Sequence, residues 1–327
     1  MTPAARLLVA ALLAAAPPLA VPPAAATGTL VPPSTIPNSA PRPIRFATAP
    51  ASGGTLALVV AGDLASATSG LPAALAAAVR DGAAAAGFEA KPDQTLVLVN
   101  AAGHARIRVY GAEPKLAAAR LQDLGGRIGQ DTREDRGPVS VLAAGVAGDG
   151  ADVTAELATG FGLGAYRFDR YRTEGRRALP TEPATFVSAE PAASEARFRA
   201  EGAHLVEAVT FARDLVTEPA NVLYPESFVE RVRDAFRGVR NISIEVLDVQ
   251  AMQRLGMGGI LSVGQGSMRP PRLLVVRYRG AGDAAPVLDA GAAGHDRADD
   301  AVEHGSIMHL QERRARVQAI ETDGARI

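Results

Sequence analysis

The chain has 327 residues, enough for about two domains of the usual ~100–200 residues. Its net charge of −1 gives no overall field to draw it to nucleic acid or to an anionic membrane surface. It has no cysteine, which excludes disulfides, thiolate metal ligands, a cysteine nucleophile and a lipidated cysteine. Aromatic residues make up only 4%, so the core must be built mainly from Leu, Val and Ala.

The N-terminus reads as an export signal over residues 1–26. Arg6 is followed by an apolar run from Leu7 to Ala16 and small residues at Ala24–Ala26, with cleavage expected after Ala26. Pro17, Pro18, Pro22 and Pro23 break the ~20-residue helix a membrane span needs. The protein is therefore expected in the periplasm or outside the cell. Residues 27–51, rich in Pro, Ser and Thr, read as an extended linker.

Order is expected from "TLALVVAGD", a short apolar run suited to a buried strand. "LPAALAAAVRDGAAAAG" is a helix closed by Gly87, and "QTLVLVN" and "RIRVY" are strands. "PKLAAARLQDLGGRIG" is a helix with Pro114 at its start, "VSVLAAG" a strand and "DVTAELATGFGLGAY" a helix. Strands alternating with helices predict a largely parallel sheet covered by helices, so residues 52–190 read as one α/β domain.

A second unit is expected over 191–280. Phe198, Leu205, Val209, Ala212 and Val216 fall at helical spacing and predict one apolar stripe on a long helix ended by Pro219. "PESFVERVRDAF" is a further helix and "ISIEVLD" a strand. "MQRLGMGGILSVGQGS" is a short helix with a glycine-rich turn, and "PRLLVVRYRG" a buried strand. Residues 281–327 carry few large apolar residues and read as an unrelated, solvated tail.

Three blocks in this order carry a resemblance: "FGLGAYRFDRYRT", "ARDLVTEPANVLYPESF" and "LGMGGILSVGQGSMRPPRLLVVRYRG". They resemble the leucyl aminopeptidase (cytosol aminopeptidase) family. The resemblance implies a macro-like N-terminal α/β domain followed by an α/β catalytic domain, here incomplete. It also implies a homo-hexamer that removes N-terminal residues from peptides with two divalent cations, zinc or manganese, and for most members a cytoplasmic location. Two adjacent metals polarise the scissile carbonyl and generate a bridging hydroxide, which demands several carboxylates at short range.

The family gathers those ligands in two motifs: Gly-Lys-Gly followed three residues later by Asp-Ser/Thr-Gly-Gly, and Asn-Thr-Asp-Ala-Glu-Gly-Arg. Neither is present, and the only lysines of the chain are Lys91 and Lys115. No catalytic, metal or cofactor-binding residue therefore carries over, and no cofactor is expected in this chain. A frameshift or premature end is the expected origin of the abrupt loss after residue 280, with hydrolysis absent.

The remaining signals are weaker. Asp296, Asp300 and His304, with His309 nearby, have a spacing that suits a metal, but no apolar framework holds them. Arg167, Arg170, Arg172, Arg176 and Arg177 interleave with Tyr166, Phe168 and Tyr171, a pattern that can bind single-stranded nucleic acid and here is read as packing. "VAGDGAD" and "VGQGS" are turns able in principle to cradle a phosphate, without a dinucleotide or P-loop fingerprint. His104 and His204 stand alone.

Overall fold

The computed structural model describes residues 42–174 and 180–279. The expected signal segment, most of the linker and the tail lie outside the described residues. The first elements are β1 (Ile44–Ala47), β2 (Thr55–Ala61), α1 (Leu64–Thr68), α2 (Ala73–Ala86), β3 (Thr95–Ala101) and β4 (His104–Ala112). They are followed by α3 (Ala118–Asp131), β5 (Val139–Ala144), α4 (Gly150–Gly164) and β6 (Ala184–Val187). The second group comprises α5 (Pro191–Arg197), a π-helical turn (Phe198–Gly202), α6 (Ala203–Thr217) and α7 (Pro225–Ala235). It closes with β7 (Ile242–Leu247), α8 (Val249–Arg254), α9 (Gly258–Gly264) and β8 (Leu273–Tyr278).

The six strands β1–β6 form one sheet in the order β1-β6-β5-β2-β4-β3. All pairings are parallel except the β3–β4 hairpin. This is the α/β class expected from the alternation of strands and helices. Every residue of β2 is buried. Leu56, Leu58 and Val60 point toward α2 and its cluster, while Ala57, Val59 and Ala61 point toward α3 and α4. Each fully buried Leu or Val contributes roughly 1.5–3 kcal/mol, so this strand anchors both layers.

A polar knot closes the N-terminal ends of the five parallel strands. Buried Arg42, just before β1, donates from Nη1 to Gly137 O at 2.8 Å and to Glu182 O at 3.1 Å, and from Nη2 to Asp135 O. The Asp135 carboxylate in turn accepts from Thr55 Oγ1 of β2 at 2.7 Å and from Arg106 Nη1 of β4 at 2.9 Å. Residues 135–137 lead into β5 and Glu182 into β6, so one network reaches all five strands.

Several elements differ from the sequence reading. β1 and β6 were not read as strands, and β1 lies inside the stretch taken as linker. Both are only four residues long, too short for a periodic signal, and they pair with each other at the sheet edge. Helix α3 begins at Ala118 rather than at Pro114, because Pro114–Ala117 forms a loop in which Ala147 N donates to Pro114 O.

The expected stripe of Phe198, Leu205, Val209, Ala212 and Val216 does not form the buried face. Val216 is 87% exposed and Leu205 43% exposed, while Val206 takes the core position. The π turn inserts an extra residue, so a regular 3.6-residue spacing no longer returns to the same side beyond it. Tight packing accompanies the turn: a Cβ at Gly202 would lie 2.1 Å from Thr159 Oγ1. β8, expected as a buried strand, has no buried residue.

Candidate functional site

The block "ARDLVTEPANVLYPESF" runs from the end of α6 into α7, and the contacts of its residues and their neighbours are closely defined. At the end of α6, Asp214 Oδ1 accepts a hydrogen bond of 2.9 Å from the phenol of Tyr166, which follows α4. Arg213 lies over the same ring, 5.4 Å from its centroid, and donates to Leu163 O at 2.5 Å. Burial pushes the Tyr166 phenol up to about 12, with Thr217 pulling it down and Asp214 reinforcing the rise. These contacts fasten α6 to the C-terminal end of α4.

The turn that follows is just as fully committed. The Glu218 side chain is fully buried, and its Oε1 accepts from both Nη1 and Nη2 of Arg231 at 3.1 Å. Val222 and Leu223 donate to Pro219 O at 2.9 Å, which closes the loop. Ser227 Oγ accepts from Tyr224 N at 3.0 Å and donates to Val222 O at 2.8 Å, capping α7 behind Pro225. Arg269, in the turn before β8, stacks on the Tyr224 ring at 3.9 Å. Asp214, Glu218 and Ser227 thus serve the architecture of the segment.

Two divalent cations require a cluster of hard ligands. Among the described residues no group of three or more His, Asp or Glu side chains is arranged to hold a metal ion. Of the carboxylates that follow α7, Glu245 pairs with Arg277 at 3.0 Å and Asp248 caps α8 by accepting from Ala251 N at 2.8 Å. The described residues do not fit the metal pair. His104 Nδ1 lies 3.1 Å from Gly53 O, and His204 stands exposed at the start of α6. Asp296, Asp300, His304 and His309 lie outside the described residues, as do Arg176 and Arg177.

The two glycine turns do not present phosphate cradles. In "VAGDGAD" the N-terminus of α4 is capped by its own Asp149, which accepts from Ala151 N at 2.9 Å. Arg197 reaches Asp149 at 3.4 Å and Asp152 at 2.7 Å, so the helix end already holds negative charge. "VGQGS" runs through the C-terminus of α9, where the helix dipole is negative and disfavours an anion. A polar groove of about 530 Å³ is lined by Arg106, Arg108, Arg133 and Arg136 together with Asp131, Glu134 and Asp135. Its charges nearly balance, so it offers no strongly cationic surface.

Two models of one family match the chain. The cytosol aminopeptidase family, N-terminal domain, matches residues 56–175, and the cytosol aminopeptidase family, catalytic domain, matches residues 210–291. The chain belongs to the cytosol aminopeptidase family. The probable cytosol aminopeptidase of Nitrobacter winogradskyi is 40% identical over 216 residues, covering 64% of this chain and 43% of the relative. That of a Bradyrhizobium species is 43% identical over 159 residues, 48% of this chain and 31% of the relative. The chain thus spans less than half the length of these relatives.

Among solved structures, a mutant of tomato leucine aminopeptidase superposes with a TM-score of 0.62 at 20% identity, over 75% of this chain and 52% of that one, a likeness of fold. The bottromycin maturation enzyme BotP, solved in complex with Mn, gives a TM-score of 0.53 at 26% identity, over 70% of this chain and 46% of its own. No described helix of this cytosol aminopeptidase homologue is long and apolar enough to cross a membrane. The signature that identified the family is, in this chain, the fastening between its two matched regions.

Proposed function

We propose that this chain carries the N-terminal domain and the opening part of the catalytic domain of an exported, leucyl-aminopeptidase-like metallo-exopeptidase, and that it does not hydrolyse peptides by itself. The carrying observation is the pairing of a match to both domains of the family with a described catalytic region that lacks a ligand cluster. The sequence supports this, since no lysine follows Lys115. In the complete enzyme the reaction is removal of N-terminal residues from peptides in a two-metal site, within a hexamer. The test is release of leucine from a leucyl anilide by the purified 327-residue chain with zinc or manganese added. No release above buffer is expected; metal-dependent turnover would overturn the reading. Export is tested separately, by N-terminal sequencing of the protein from a periplasmic fraction, with Thr27 expected first.

A second reading, a non-catalytic oligomerisation or binding module, draws support from one feature. The six-stranded sheet has a buried cluster on each face. Neither its charge nor its grooves single out nucleic acid as a partner.

A further inference from the structure

The large sheet ends on two edges of different kinds. β1 is four residues long, follows Pro43 and carries Arg45, the short and charged sort of edge that resists pairing with another chain. β3, at the other end, is seven residues long without a charge or a proline, and among the described residues it pairs only with β4. Asn100 enters the left-handed region at φ 52°, so the regular part of this edge is Thr95–Val99.

Two hydrogen bonds fix which backbone groups face outward. Gly111 N donates to Gln94 O at 3.0 Å, toward β3, and Arg106 N donates to Gly54 O at 3.2 Å, toward β2. Successive amides of a strand alternate sides, so Ile107 and Val109 also bond to β3, where they stand opposite Leu98 and Leu96. Thr95, Val97 and Val99 are then the positions that do not bond to β4, and their N–H and C=O groups point away from the sheet. Their side chains share a face with Tyr110, Arg108 and Arg106, which stand opposite them. On that face Val97 is 44% and Val99 63% exposed, while Leu96 and Leu98 pack on the other face into the cluster beneath α2.

Such an edge is a template for an added strand. β3 offers no charge to a charged peptide, and the charges of the groove beside it nearly balance. What the strand matches is itself. A second β3 laid antiparallel, with Val97 opposite Val97, sets Thr95 opposite Val99 and Leu96 opposite Leu98. Every facing position is then Val, Leu or Thr, and the outward groups of Thr95, Val97 and Val99 all find partners across the two-fold axis. We infer that the β3 edge joins two copies of this chain, antiparallel about Val97, into one continuous sheet. The segment is short, so the contact falls below the ~1,200–2,000 Å² of a standard interface, and a Kd on the order of 10 μM is expected. The inference goes beyond the peptidase reading and does not depend on it.

The test is analytical ultracentrifugation of the purified 327-residue chain at concentrations spanning that Kd. A monomer–dimer equilibrium is expected. Val97→Lys and Val97→Glu each set two like charges face to face on the axis and should weaken the dimer at least tenfold. Mixing these two variants sets Lys opposite Glu, and a heterodimer should return. Val97→Pro removes only an outward amide, which an edge strand tolerates, and should abolish the dimer while circular dichroism stays unchanged. Val216→Lys, on the exposed side of α6, should leave the dimer as it is. Without any substitution, the Val97 amide should exchange more slowly as the protein is concentrated.

A chain that stays monomeric overturns the inference, as does an assembly indifferent to Val97→Lys and Val97→Glu. An assembly lost in both variants and not regained on mixing them overturns the two-fold pairing about Val97. Exchange at Val97 that does not change with concentration does the same without resting on any variant's fold. Assembly blocked by Val216→Lys instead would assign the contact to α6 and replace the inference. Association is read without hydrolysis, so its failure is distinct from that of the peptidase reading, which only turnover by the chain refutes.

Discussion

Gly164 of α4 lies against Gly126 of α3 so closely that a Cβ added at Gly164 would sit 2.0 Å from Gly126 O. One turn earlier, a Cβ at Gly160 would sit 1.9 Å from Gln122 O, and one at Gly125 would meet Leu157 O at 2.1 Å. Because these contacts are with backbone, the helices must separate to admit any side chain. Gly160→Ala is therefore expected to cost about 3 kcal/mol, the upper range for overpacking. Gly150, in the first turn of the same helix, has open space around its Cβ position. Gly150→Ala should be neutral or stabilise by roughly 0.5–1 kcal/mol. Urea unfolding of the two variants checks the contrast, and equal midpoints would refute the close-approach argument.

The Glu218–Arg231 pair makes a second prediction. Arg231→Met removes two charge-assisted hydrogen bonds from a fully buried carboxylate and is expected to destabilise by roughly 2–3 kcal/mol. Glu218→Gln keeps the shape and an acceptor oxygen, and should cost less. The double variant should lose less than the sum of the single ones, since they share one interaction. Additive losses in a thermal-unfolding double-mutant cycle would show that the pair does not couple the turn to α7.

How much of this was legible beforehand depends on the element. β2 was evident because seven consecutive buried residues leave a continuous apolar run, "TLALVVA". α2 was evident because Gly87 ends it in the left-handed region at φ 64°. β1 and β6 were not, because four-residue strands carry no period and their place comes from pairing across 140 residues of sequence. The apolar stripe after Phe198 misled because the spacing assumed an uninterrupted α-helix and no residue type signals a π turn. At the site, the block "ARDLVTEPANVLYPESF" was one of the three that carry the family resemblance. Its chemistry remained hidden until Glu218 and Arg231, thirteen residues apart, were seen to face each other.

Alkaline titration separates two of the tyrosines. The folded pKa of Tyr166, about 12, lies above its ordinary 10.0. The group therefore favours the fold while protonated: its contribution is intact below about pH 10 and is lost as pH rises toward 12. Tyr110 is pushed upward more strongly, first by burial and then by Asp131, to which its hydroxyl donates at 2.9 Å. Phenolate absorbance should therefore show Tyr110 ionising only as the chain unfolds. Tyr166→Phe should flatten the loss of stability between pH 10 and 12; an unchanged profile would mean that another group sets it.

The knot around Arg42 gives the last prediction. Arg42 is 5% exposed and its guanidinium serves three carbonyls, two in the lead-in to β5 and one in the lead-in to β6. Burial lowers its pKa, while Asp135 and Glu182 act to hold it charged. Arg42→Met would keep the stem's packing but leave Gly137 O, Glu182 O and Asp135 O without this donor. At roughly 1–3 kcal/mol for a buried group left unsatisfied, with water recovering part, a net loss of about 3 kcal/mol is expected. Arg42→Lys should recover only a fraction, because an ammonium cannot span three acceptors in the guanidinium plane. The loss should fall on the β1–β6 edge first, since those strands meet the rest of the sheet only at β5. Hydrogen exchange checks this: faster exchange at Ala184 and Ser188, whose amides donate to Pro43 O and Ala47 O, with β2 still protected, is the expected pattern. Uniform acceleration across β2 and β6 would instead show that the knot stabilises the whole sheet as one cooperative unit.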